Sequence, residues 1–238
     1  MSADPAPRKA HQFDFLAGGG EMGAHIRAFP WDSTALGPPD QWPSGLRTSL
    51  RILLTTQHPV FIFWGEQLCC FYNDAYSRSL GPEKHPFILG IPGRDAWPEI
   101  WHIIGPQIDQ VIRGDTATWH ENALVPIVRH GSLQDVYWTY SYSSVLDDEG
   151  NHAGILVTCT ETTGKVETLN KLKYSEQRFQ NLVRDATTAI VVLTGPEMKV
   201  EIVNQSYSSL IGRTPEELLG KPLFSVIPET EEYYLPLL

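Results

Sequence analysis

Two short apolar runs, Val60 to Trp64 and Leu68 to Tyr72, flank the turn pair Gly65-Glu66, and this pattern predicts a pair of strands. Beyond them Gly81-Pro82, Gly90-Ile91-Pro92-Gly93 and Gly105-Pro106 cut the chain into short helices, with a longer one predicted over Pro106 to Arg113. Gly114-Asp115 then turns the chain into three further strands: Thr118 to Val128, Val136 to Val145 and Gly154 to Thr163. His130-Gly131 and Asp147-Asp148-Glu149-Gly150 carry the hairpin turns between them. Two strands, a helical crossover and three strands predict an α+β fold, a five-stranded antiparallel sheet with its helices on one face. Residues 1–56 are rich in Gly and Pro and hold one helical candidate, opening near Ser44 with Leu46, Leu50, Leu53 and Leu54 on one face. They read as an N-terminal extension with a short helix.

Between Gly164 and Gly195 no glycine or proline interrupts a helical stretch, and Leu169, Leu172, Phe179, Val183 and Ala186 fall at heptad spacing, broken only by Glu176. That is under three heptads, where a coiled coil calls for roughly three to four. A coiled-coil seam and an amphipathic helix folded onto its own domain are both open on this pattern. The unit that preceded the helix then recurs: Asn73-x-x-Tyr76-Ser77-x-x-Leu80-Gly81 returns as Asn204-x-x-Tyr207-Ser208-x-x-Ile211-Gly212, and Gly90 to Pro92 returns as Gly220 to Pro222. Strands near Ala189 to Leu193 and Val200 to Val203 open the second copy. Its next helix is marked by Thr214 as N-cap, Pro215 at the first position, Glu216 and Glu217 in the first turn and Gly220 past the end. The expected organisation is a whole domain at 57–163, a connecting helix at 164–186 and an incomplete second domain at 175–238, which stops before any counterpart of the last three strands.

Composition narrows the function. The chain has 238 residues, and its 28 acidic against 18 basic residues give a net charge of -10 with no basic run to neutralise phosphates, so neither nucleic acid nor an anionic membrane is an expected partner. The apolar runs are too short to span a bilayer, and the N-terminus lacks a signal-type apolar region, so a cytoplasmic location is expected. Cys69, Cys70 and Cys159 form no C-x-x-C pair and sit in strand-like runs, which points to buried reduced thiols.

Candidate chemistry is sparse. Gly18-Gly19-Gly20-Glu21-Met22-Gly23 satisfies G-x-G-x-x-G, but no strand-helix-strand unit surrounds it, and a flexible glycine turn is the better reading. His120-Glu121-Asn122-Ala123-Leu124-Val125-Pro126 resembles in part the phosphoacceptor box of histidine kinases, yet the basic residue is missing, the proline is one place late and the segment favours a strand. No glycine-rich box exists to cradle ATP, and no H-E-x-x-H, G-x-S-x-G or Cys/His cluster occurs, so no enzymatic activity and no metal site are expected of this chain. His102, near Trp97 and Trp101, is weighed as a haem ligand and read instead as a histidine satisfied by a neighbouring hydrogen bond. Aromatics crowd the same region, and a planar ligand between sheet and helices would use a few of them; Phe63, Tyr72, Trp101, Trp138 and Tyr140 are the candidates.

The element order, the repeat and the linking helix together resemble PAS domains, sensory modules of bacterial signalling proteins. The resemblance implies that Asn73 and Asn204 cap the helix after the second strand. It also implies that Glu161-Thr162-Thr163 stands where the family carries Asp-x-Thr, coupling the sheet to an output helix. Glu161, Thr163, Leu169, Leu172 and Phe179 are therefore the expected relay residues. Tyr174 to Val183 is similar to the helix opening many PAS domains of sensor histidine kinases, and Gly20-Glu21-Met22-Gly23, Trp31-Asp32-Ser33 and Leu36-Gly37-Pro38-Pro39 are similar to the N-terminus of such kinases. Nothing matches the Asn-Cys-Arg-Phe box of the flavin-binding light-oxygen-voltage branch. The resemblance implies a sensory and dimerisation module at the input of a histidine kinase, self-paired, with a kinase output region and a response regulator downstream. No cofactor is expected; a haem or flavin sensor and a ligand-free adaptor for other PAS domains are the alternatives.

Overall fold

The computed structural model describes residues 14–114 and 116–231. Residues 1–13 of the extension, Asp115 of the expected turn and residues 232–238 lie outside them. The chain divides into two units, Met1–Val166 and Glu167–Leu238.

In the first unit the helices α1 (Gly20–Ala28) and α2 (Ser44–Thr55) precede the strands β1 (Val60–Trp64) and β2 (Cys69–Tyr72). The crossover holds α3 (Asp74–Ser77), α4 (Gly93–Ala96) and α5 (Trp101–Ile112). It is followed by β3 (Thr118–Leu124), β4 (Ile127–Arg129), β5 (Ser132–Gln134), β6 (Tyr137–Leu146) and β7 (His152–Glu161). Five strands form one antiparallel sheet in the order β2-β1-β7-β6-β3. This is the expected α+β class, with the first strand placed inside the sheet by pairing to both the second and the last.

The interior position of β1 explains its composition. All five of its residues are buried, because successive side chains point to opposite faces and both faces are covered. Phe61 and Phe63 face the crossover helices. Phe71 of β2, on the other face, stacks on Trp31 with ring centroids 4.9 Å apart, and Trp42 meets both rings edge-on at 5.2 and 5.8 Å. The extension therefore shares one core with the sheet: Leu16, Met22, Ile26, Leu46, Leu50 and Leu53 are each 1 % exposed or less.

Three local expectations are corrected. The glycine run does not end in a loose turn but opens α1, a helix the periodicity did not mark. Asp74 accepts hydrogen bonds from Glu21 N (3.1 Å) and Met22 N (2.7 Å), caps that helix from a distance and neutralises its first amides. Gly20 has φ 59°, and a Cβ there would overlap the Asp74 carboxylate. Gly105-Pro106 lies inside α5 and does not break it. The buried stripe Ile104, Ile108 and Val111 outweighs one missing amide bond, and Gly105 gives room to the Trp101 indole. The strand expected over Thr118 to Val128 is two: Pro126 offers no amide to the ladder, and Ile127–Arg129 turns away to pair with Ser132–Gln134 in a separate hairpin.

The second unit is entered along α6 (Thr163–Asp185), which begins in the first, and holds β8 (Val191–Thr194), β9 (Lys199–Val203), α7 (Gln205–Ile211), α8 (Pro215–Leu218) and α9 (Leu223–Val226). Among the described residues β8 and β9 form a two-stranded antiparallel sheet over Val200, Leu218, Leu223 and Ile227. Thr214 and Glu217 form a reciprocal capping box. The repeat has a common geometry. Gly90 N donates to Cys70 O and Gly220 N to Val200 O, each at 2.8 Å, so the Gly-x-Pro segment lies along the second strand in both copies.

Candidate functional site

Asn73 and Asn204 accept from Tyr76 N and Tyr207 N, each at 3.0 Å, which is the expected cap. They do more than cap. Asn73 Oδ1 also accepts from Val60 N at 3.1 Å, and its Nδ2 donates to the carbonyls of Leu53, Thr56 and His58 at 3.2, 3.3 and 2.8 Å. Asn204 does likewise with Ile190 N at 2.9 Å, and with the carbonyls of Ala186 and Thr188 at 3.1 and 2.8 Å. Each asparagine thus fastens the end of the incoming helix, α2 in one copy and α6 in the other, to the first strand and the next helix. Both are almost fully buried, so every one of these bonds replaces water that cannot reach.

A cavity of about 60 Å³ lies between the sheet and the crossover helices. Phe61 and Phe63 of β1, Trp138, Tyr140 and Tyr142 of β6, and Val157 and Cys159 of β7 form its floor. Tyr76, Trp97, Ile100 and Ile104 come from the helices, and Val125 and Ile127 from the segment around Pro126. Of the five expected ligand residues, Phe63, Trp138 and Tyr140 line it. Tyr72 and Trp101 do not: Tyr72 turns its hydroxyl to His85 Nδ1 at 3.1 Å, and Trp101 packs over Gly93 and Gly105 with the Arg94 guanidinium 5.8 Å from its ring. His102 is exposed and has no hydrogen-bond partner among the described residues, contrary to the expected satisfied histidine, and it does not line the cavity. His120 sits in β3 and stacks on Tyr140.

The cavity is filled from within. Tyr76 stacks on Trp138 and meets Phe61 edge-on, taking the room a planar ligand would need. Sites for drug-sized molecules run to about 300–1,000 Å³, so a flavin or haem does not fit this packing. Tyr140 donates to Gln107 Oε1 at 3.1 Å. Burial pushes the phenols of Tyr76 and Tyr142 well above their ordinary range. Burial likewise pushes the Cys159 thiol up to about 12. Among the described residues no group of three or more His, Cys, Asp or Glu is placed to hold a metal ion, and no helix is long and apolar enough to cross a membrane.

At the exit of β7 the expected relay residues meet a partner the sequence did not suggest. Glu161 is held bidentately by Arg129 of β4, at 2.8 and 3.3 Å, and the longer Glu side chain spans the gap to the hairpin. Thr163 Oγ1 accepts from Tyr137 N at 3.0 Å and donates to Glu161 Oε1 at 3.2 Å, which fixes the first turn of α6 to β6. Three consecutive residues of β4 then face three neighbours. Ile127 lines the cavity, Val128 N donates to Glu99 Oε1 at 3.3 Å, and Arg129 grips Glu161. Glu99 is itself paired at 3.0 Å with the buried ammonium of Lys84. Along α6, Leu169, Leu172 and Phe179 are about half exposed or more (52, 65 and 49 %), while Val183 is buried.

No protein-family model and no curated protein matches the chain. Solved structures do resemble it. An RNA-binding light-oxygen-voltage receptor is 18% identical with a TM-score of 0.39, covering 61% of this chain and 42% of its own, so the match spans less than half of that receptor. The PAS domain of Bordetella pertussis BvgS is 18% identical, TM-score 0.36, over 53% of this chain and 93% of its own. A sensory box sensor histidine kinase from Vibrio cholerae is 12% identical, TM-score 0.32, over 49% and 86%. Scores of this size add nothing to the strand order itself, and it is the order β2-β1-β7-β6-β3 with a helical crossover that makes the first unit PAS-like.

Proposed function

We propose that this chain is a sensory and dimerisation module, the input region of a bacterial two-component histidine kinase, which passes a conformational signal from the first unit along α6. The kinase output region and its response regulator are the proposed partners downstream, and a second copy of the chain is the partner alongside. The observation that carries this reading is the Arg129–Glu161–Thr163 cluster at the root of a 23-residue helix. It ties the cavity wall, through β4 and β6, to the one element that continues into the second unit.

The exposed stripe on α6 supports self-association. Leu169, Leu172 and Phe179 follow heptad spacing and stand in solvent, an apolar seam on an acidic chain. Sedimentation equilibrium at tens of micromolar tests it: the wild type is expected as a dimer, and Leu172→Asp as a monomer, because pairing would desolvate the new carboxylate. A monomeric wild type would remove the dimerisation part. A dimer indifferent to Leu172→Asp would move the interface elsewhere.

A further inference from the structure

The β4–β5 hairpin that carries Arg129 pairs with no strand of the five-stranded sheet. Two strands of three residues hold little structure by themselves, so the place of Arg129 depends on what grips the hairpin from outside. Two carboxylates do so, at neighbouring residues. Glu161 holds the Arg129 guanidinium, and Glu99, from the turn between α4 and α5, accepts from Val128 N at 3.3 Å. Glu99 is fixed in turn by Lys84, whose ammonium lies 3.0 Å from one carboxylate oxygen and 3.2 Å from the other, donates to Ala96 O at 2.7 Å and stands 4.5 Å from the centre of the Trp97 ring. The Lys84 side chain is 9 % exposed and that of Glu99 14 %. An ion pair buried this deeply gains little stability over apolar side chains of similar bulk, because desolvation offsets the attraction. On its other side Lys84 adjoins the extension. His85, the next residue, meets the Tyr72 hydroxyl through Nδ1 at 3.1 Å and lies 3.7 Å through Nε2 from Glu21 of α1, the helix that Asp74 caps.

We propose that the Lys84–Glu99 pair is a second input to α6, which carries the docking of the N-terminal extension through the β4–β5 hairpin to Arg129 and Glu161 and needs no occupant in the cavity. The inference deepens the sensory reading above and rests on its relay along α6. A shift of α1 moves His85, and Lys84 is the adjacent residue. Glu99 follows the ammonium, and its other contact is the amide next to Arg129. Lys84 and Glu99 are positioning residues on this route, because they act on α6 only through the hairpin.

Hydrogen exchange on the full chain, run beside thermal melts, tests the proposal with two variants. Lys84→Met/Glu99→Met keeps the bulk and removes both charges, so it should melt close to wild type. Its exchange should rise about threefold or more in residues 127–134 and 163–170 and stay unchanged in β1 and β7. Asp74→Ala, which removes the cap of α1, approaches the route from its other end. It should raise exchange in the same two segments, and the rise should vanish when the substitution is placed on the double-Met background. Unchanged exchange in those segments in either variant would overturn the proposal. So would a rise shared equally by the whole sheet, which marks a merely structural pair, or an Asp74→Ala effect that the double-Met background leaves intact. Arg129→Gln, measured alongside, separates the two readings. If it speeds exchange at 163–170 and the double-Met variant does not, this inference alone fails; if neither does, the relay along α6 fails with it.

Discussion

Trp138 and Glu161 are direct partners in the β6–β7 ladder, the first with its indole in the cavity wall and the second holding Arg129 at the root of α6. The Arg129 guanidinium lies 5.9 Å from the Trp138 ring, so one cation touches both ends of the pair. Under the proposed relay, a displacement of the indole passes to the ion pair through this contact. That coupling is local, short and built from side chains whose removal can be measured.

A double-mutant cycle on Arg129→Gln and Glu161→Gln measures the pair. Both side chains are partly exposed, so a coupling energy of about 1 kcal/mol is expected and should shrink in high salt. Additive thermal melts would show that the contact contributes nothing.

Asn73→Asp separates the two roles of that residue. Asp caps helices about as well as Asn, so a cap alone predicts a change of a few tenths of a kcal/mol. The structure places the amide nitrogen against the carbonyls of Leu53, Thr56 and His58, and a carboxylate oxygen there would face three acceptors. A loss of about 3 kcal/mol or more is expected by chemical denaturation. A near-neutral result would reduce Asn73 to a cap.

The repeat was legible in the sequence because its parts are local: Asn73 reaches Tyr76 three residues away, and Asn204 reaches Tyr207 in the same way. The number of strands in the sheet and its antiparallel class followed from the spacing of turns, and their order did not. What the sequence hid are contacts between distant residues. Arg129 meets Glu161 across 32 positions, and the continuous strand expected over Thr118 to Val128 concealed the hairpin that delivers it. Tyr76 was visible as part of the repeated motif, but its place in the cavity depends on how α3 lies over β1. Phe63, Trp138 and Tyr140 reach the cavity by strand parity, whereas Tyr72, on the same face, is drawn aside by His85. Trp101 is a helix residue, and periodicity alone did not say which way its ring would turn.

Acid should loosen the attachment of α2. The Asp148 carboxyl is held below its ordinary value of 3.8, first by the Ser44 hydroxyl and then by the Ser44 amide. The folded state therefore binds this proton less readily than the unfolded chain. The resulting stability is present above about pH 4 and is lost as the pH falls through the lowered value. Melts of wild type and Asp148→Asn between pH 6 and pH 2.5 should converge as the pH falls. A constant gap between them would contradict the linkage.

The cysteines should be inert. With the Cys159 thiol pushed to about 12, roughly one molecule in ten thousand carries the thiolate at pH 8, and Cys69 and Cys70 are buried beside the same core. Ellman's reagent should find almost no reactive thiol in native protein and three in denaturant. Rapid native labelling would show that the core opens readily.

Hydrogen exchange along α6 tests the relay most directly. In wild type the first two turns of the helix, residues 163–170, are expected to be protected by their anchorage to Glu161 and to Tyr137 N. Arg129→Gln should speed exchange there about threefold or more while leaving the amides of β1 and β7 unchanged. Unchanged protection in those two turns, or an equal rise across the whole sheet, would contradict a coupling carried by Arg129.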